Sequence, residues 1–105
     1  MGKNILVFLL SAAAVAGAEA SGPVPPECEI LDGMAEAAMM SRQAGMPMIE
    51  MYKNADKAGP AIANIAKPVI AQAYRQPRYP DEKSRAAAVT DFRDKFFQGC
   101  LSNQK

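Results

Sequence analysis

The chain has 105 residues, half of them apolar, a formal net charge of +1, two cysteines and no histidine. So even a charge balance offers no concentrated positive field for nucleic acid or an anionic membrane. Without histidine, the commonest general base, the usual hydrolase triads and most zinc or copper sites are missing.

Residues 1–20 read as a cleavable export signal. One cation, Lys3, precedes an apolar run of 13 residues from Ile5 to Gly17, and Ala18-Glu19-Ala20 has the small-x-small form that signal peptidase reads. The run is shorter than the roughly 20 residues of a stable membrane anchor, and Pro25, Pro26 and Glu27 before Cys28 do not form a lipobox. A periplasmic or secreted location follows as an expectation, with no stable membrane anchor after cleavage. Residues 21–26 read as a flexible, proline-rich N-terminus and 27–105 as a single helical domain.

From Glu27 to Gln43, Cys28, Leu31, Ala35, Ala38 and Met39 recur at the three- and four-residue steps of one helical face. Gly45 supplies a stop and Pro47 a start. A second helix is expected from Pro47 to Lys57, with Met48, Met51, Tyr52 and Ala55 on one face and Gly59 as terminator. After Pro60, the residues Ile62, Ile65, Ala66, Val69, Ile70, Ala73 and Tyr74 keep the helical phase through Pro68. Either one kinked helix or two short ones would satisfy that pattern. A last helix is expected near Pro80, with Asp81 and Glu82 in its first turn and Ala86, Val89, Phe92, Phe96 and Cys100 buried. No stretch alternates with period two, so no sheet is expected.

These segments predict an all-α fold: a small four-helix bundle, or a kinked one of three to five helices, stapled by one disulfide. Short connections favour antiparallel neighbours in an up-down-up-down order. In that order the start of the first helix and the end of the last meet where Cys28 and Cys100 lie. A domain of about 85 residues after cleavage buries a modest core. A bridge closing so long a loop would stabilise it by roughly 4 kcal/mol in the chain-entropy model.

Arg42-Gln43 precedes Pro47 by the spacing with which Arg75-Gln76 precedes Pro80. Each arginine would lie in the last turn of its helix, favoured by the dipole and able to cap free carbonyls; duplication of a helical hairpin is the alternative.

Chemical motifs are sparse. The cysteines lack Cys-x-x-Cys spacing, no glycine-rich phosphate loop is present, and Glu27 with Glu29 or Asp91 with Asp94 read as solvated carboxylates. No catalytic residue or cofactor is assigned, and an enzyme is not expected. Met46, Met48 and Met51 form Met-x-Met-x-x-Met, a spacing able to offer thioethers to Cu(I); packing of a core or an adaptable groove is the competing use of methionine. The segment from Tyr74 to Pro80 is the candidate for recognition: Tyr74, Arg75, Arg78 and Tyr79, with Arg42, are residue types that carry binding energy at interfaces, and prolines hold the linker extended. The tyrosines could instead simply cover the end of the bundle.

The run from Cys28 through Met39-Met40-Ser41-Arg42-Gln43-x-Gly45, with a Tyr-rich connection and a closing helix ending in Cys100, resembles small exported two-cysteine helical proteins of Gram-negative bacteria and phages. The resemblance implies location and fold, and no assigned function. In size and architecture the chain is also similar to acid-activated periplasmic chaperones. The expectation is a binding protein that contacts another exported protein, with a chaperone-like stress protein or a Met-based Cu(I)-binding protein as alternatives.

Overall fold

A computed structural model describes residues 22–104; the export signal expected at 1–20 lies outside the described residues. Four helices occur among them: α1 (Pro26–Ala44), α2 (Met48–Lys57), α3 (Pro60–Ala73) and α4 (Glu82–Ser102). There are no strands among the described residues.

Proline, glycine and acidic side chains set the helix boundaries. Pro26 occupies the first turn of α1, where its missing N–H has no helical partner to lose, and Glu27 and Glu29 face the positive end of the dipole. Gly45, at φ 87°, ends α1 in a Schellman motif: its N–H donates to the Arg42 carbonyl at 3.1 Å and that of Met46 to Ser41 at 3.0 Å. Gly59, at φ 101°, turns the chain into α3, which Pro60 opens. Asp81, expected inside the first turn of α4, instead stands just before it and caps it, its Oδ2 accepting from Ser84 N–H at 2.9 Å.

The open question at Pro68 resolves to one helix, since α3 runs unbroken across it. Pro68 deprives the Asn64 carbonyl of its helical donor, and both residues are exposed, so water can satisfy it.

The bundle is organised around α1. Helix α4 packs along one flank of α1, while α3, joined to α2, packs against another. Helices α1 and α4 run antiparallel. Cys28 is bonded to Cys100, Arg93 reaches Asp32 and Glu36, and Gln43 meets Tyr79, so the partners fall in reverse order along the two helices. The disulfide joins Cα atoms 5.5 Å apart across a separation of 72 residues, and Cys28 is completely buried.

The core is Ala35, Ala38, Met39, Ala55, Ala63, Val69, Ile70, Ala73 and Phe92. Five of these are alanine. Small side chains let the helices approach closely, but each removes little apolar area from water. The Phe92 and Phe96 rings meet edge to face with centroids 4.9 Å apart, which adds a directed contact to this core.

On α1 the expected face is the observed one, with Leu31 half-buried. The other faces need correction. On α2 only Ala55 is buried; Met51 and Tyr52 pack partly on the core and Met48 is exposed. Ile62 and Ile65 of α3 are exposed, whereas Ala63 is buried. On α4 only Phe92 is fully buried; Val89, Phe96 and Cys100 are half-covered and Ala86 is exposed. The physical reason is the arrangement about α1. With α4 packed chiefly on that one helix, neither α3 nor α4 has neighbours enough to cover a full apolar stripe.

Candidate functional site

The candidate site is the end of the bundle where the α1–α2 turn meets the linker between α3 and α4. Its centre is Gln43, the one buried polar side chain among the described residues. The Gln43 Nε2 donates to the Pro77 carbonyl at 2.8 Å and to the Met39 sulfur at 3.4 Å, while its Oε1 accepts from the Tyr79 N–H at 2.9 Å. A glutamine has one acceptor and a two-hydrogen donor at its tip. Here it pairs a carbonyl and an N–H of the linker at once, replacing the strand-like partners that an extended segment would otherwise lack.

Arginines complete the attachment. Arg42 donates from Nε to the Gln76 carbonyl at 2.9 Å and lies over the Tyr74 ring, 5.4 Å from its centroid. Arg78 donates from Nε to the Gln43 carbonyl at 3.2 Å. Its guanidinium lies flat over Gly45, so that a Cβ there would sit 3.1 Å from Cζ. Gly45 is therefore required twice, for its positive φ and for the room it leaves Arg78. Arg85 of α4 donates to the carbonyls of Tyr79 at 2.7 Å and Pro80 at 3.0 Å. Tyr74 closes the arrangement by donating its hydroxyl to the Met46 carbonyl at 2.6 Å. Burial pushes the Tyr74 phenol above its ordinary value, and the neighbouring Arg42 cation opposes that rise only in part, so Tyr74 remains a neutral donor at neutral pH.

Of the residues expected to bind a partner, Arg42, Tyr74 and Arg78 are brought together around the α1–α2 turn. Arg75 is exposed just beyond α3, and the Tyr79 side chain lines the seam between α1 and α4 with Met39, Ala88 and Phe92. The two Arg-Gln-x-x-x-Pro copies meet each other. Arg42 serves a carbonyl of the second copy rather than of its own helix, and Arg75 is not in the last turn of α3. Sequence reasoning passed over Gln43 and Arg85; the repeated motif was the signal that could have led to Gln43.

Exposed apolar side chains border this end. Met46 and Met48 flank the turn, Ile49 is 60% exposed and Met40 54%. Met40 also lines a hollow between the end of α1 and the start of α4 with Ala44, Arg85, Ala86 and Val89. The Met-x-Met-x-x-Met set is divided: Met46 and Met48 are exposed, whereas Met51 packs against the core. Among the described residues, no three carboxylates or thiols converge to hold a metal ion, and no helix is long and apolar enough to cross a membrane.

A second polar cluster ties the middle of the bundle. Arg93 of α4 grips Asp32 of α1 with one edge of its guanidinium, Nε to Oδ1 at 3.1 Å and Nη2 to Oδ2 at 2.7 Å, and Nη1 donates to Glu36 Oε2 at 3.1 Å. The Arg93 hydrogen bonds hold the Asp32 carboxyl below its ordinary value against a smaller opposing effect of burial.

Comparisons with known protein families, curated proteins and solved structures return no match.

Proposed function

We propose that the chain is an exported helical binding protein whose contact surface is the end built from the α1–α2 turn and the α3–α4 linker. One observation carries this reading: Arg42, Tyr74 and Arg78 are fixed in place there, beside the exposed Met40, Met46, Met48 and Ile49. Aromatic, arginine and methionine side chains are enriched at the centres of protein interfaces, and anchoring them before contact lowers the ordering cost of binding. The disulfide supports an oxidising compartment, where the partner would be another exported protein.

The test is crosslinking in the periplasm of a host that exports the chain, followed by mass spectrometry. Replacing Tyr74, Arg75 and Tyr79 by alanine is expected to reduce recovery of the crosslinked partner at least tenfold. Unchanged recovery would sink the assignment of this surface.

The Arg93 cluster favours a second reading, a chaperone-like stress protein, because acid would protonate Asp32, whose paired bonds to Arg93 tie α1 to α4. That reading predicts suppression of client aggregation at acid pH and none at neutral pH. A Cu(I) role draws less support, as Met51 packs partly on the core whereas Met46 and Met48 are exposed.

A further inference from the structure

Each of the two arginines that flank the α1–α2 turn uses its Nε inward. Arg42 donates to Gln76 and Arg78 to Gln43, and neither guanidinium has a terminal-nitrogen hydrogen bond or an ion pair among the described residues. Ion pairing there is confined to Lys67 with Asp56 and Arg93 with Asp32 and Glu36. Arg42 is further held by the Tyr74 ring and Arg78 by the floor of Gly45. Two planar cations are thus held by one edge, with the edge suited to a carboxylate left unpartnered. Arg75, exposed and without a side-chain partner among the described residues, adds a third positive charge at the same end. Of the acids in the adjoining segments, Asp81 caps α4 through Ser84 and lies beside Arg85, and neither Glu50 nor Glu82 forms an ion pair with these arginines.

Resting on the reading of this end as the contact surface, we infer that it recognises a carboxylate-rich segment of another exported protein, with Arg42 and Arg78 each receiving an Asp or Glu side chain. The apolar border decides between a peptide and a small anion. A free anion would use only the guanidinium edges, whereas Met46, Met48 and Ile49 give an acidic segment apolar surface on which its intervening side chains bury area. Steering by the arginines raises the encounter rate, so binding weakens as salt screens it.

The probe is a fluorescein-labelled 12-residue peptide alternating Glu and Leu, compared by anisotropy with its Gln-Leu counterpart at 50 and 150 mM salt. The wild-type chain is expected to bind the Glu peptide at least tenfold more tightly than the Gln peptide, and less tightly at the higher salt. Arg78→Gln and Arg42→Gln should each weaken Glu-peptide binding three- to tenfold. Arg78→Lys should recover only part of the loss, because a point charge lacks the paired edge. Circular dichroism confirms that each variant is folded, and Lys57→Gln, on the far end of α2, is the control expected to leave binding unchanged.

Equal affinity for the two peptides, or an equal loss with Lys57→Gln, overturns the inference. So does arginine-dependent binding to phosphatidylglycerol vesicles without binding of the Glu peptide. A salt-sensitive dimer seen by sedimentation and abolished by Arg78→Gln would also overturn it, since the occupant would then be a second copy of this chain. Crosslinking to a partner that is lost in the Tyr74, Arg75 and Tyr79 variant, with no Glu-peptide binding, would leave the contact surface standing and remove only the acidic class.

Discussion

Gln43 shows how one side chain can define a loop. Its amide supplies both a donor and an acceptor to linker groups 34 and 36 residues away in sequence, the Pro77 carbonyl and the Tyr79 N–H. Gln43→Glu tests this directly. The carboxylate keeps the acceptor for Tyr79 but loses the donor to Pro77, and places a charge in a buried site. A loss of about 1–3 kcal/mol in urea unfolding is expected, with the Tyr79 amide still protected from exchange. A loss under about 0.5 kcal/mol would show that the linker holds itself. This residue was hard to read beforehand because a glutamine near a helix end has the same local signature whether it faces water or a distant carbonyl. Local periodicity assigns faces to apolar residues only, and the information that Gln43 is buried lies in a segment two helices later. The repeated Arg-Gln pair was visible, but read as two separate helix ends each capping itself; in the folded chain each end supplies what the other lacks.

At the scale of elements, α1 was legible because it has neighbours on more than one side. Cys28, Ala35, Ala38 and Met39 are buried where the three- and four-residue steps place them. The faces of α3 and α4 were over-read: Ile62, Ile65 and Ala86 follow the right period but stay exposed, Ile62 and Ala86 at the open edges of hollows between helices. Periodicity shows which residues can share a face and not whether the face is covered. The pairing of α1 with α4 has its own signature in pH. Arg93 lowers the Asp32 pKa in the folded state, so the contact stabilises fully above the unfolded carboxylate value of about 4 and fades as pH falls through the lower folded value. An Arg93→Met variant should be less stable than wild type at pH 7 by thermal melting, and the gap should shrink steadily below pH 4. Arg93 and Glu36 are more than a third exposed, so the pH 7 gap should also narrow in 1 M salt. A gap that persists unchanged at pH 2.5 would assign the contribution of Arg93 to packing of its stem.

Over the whole molecule, a core dominated by alanine leaves much of the stability to the bridge between Cys28 and Cys100. The Cys28→Ser, Cys100→Ser double variant should lose about 4 kcal/mol in urea unfolding, a large part of what a small domain possesses. A loss below about 1 kcal/mol would mean that the reduced chain keeps the two ends together by other contacts. The pairing of the first helix with the last was readable from those two cysteines, because a covalent tie at the far ends of the chain restricts the possible arrangements more than any single helix face does. The bridge and the Gln43 attachment also act together. They fasten α1 to α4 at opposite ends, so that these two helices form a closed frame, and the chain between Gln43 and Pro77 is a loop leaving and re-entering that frame at neighbouring points. The α2–α3 hairpin is therefore an excursion from that frame, held to it by the packing of α3 on α1 through Ala63, Val69, Ile70 and Ala73.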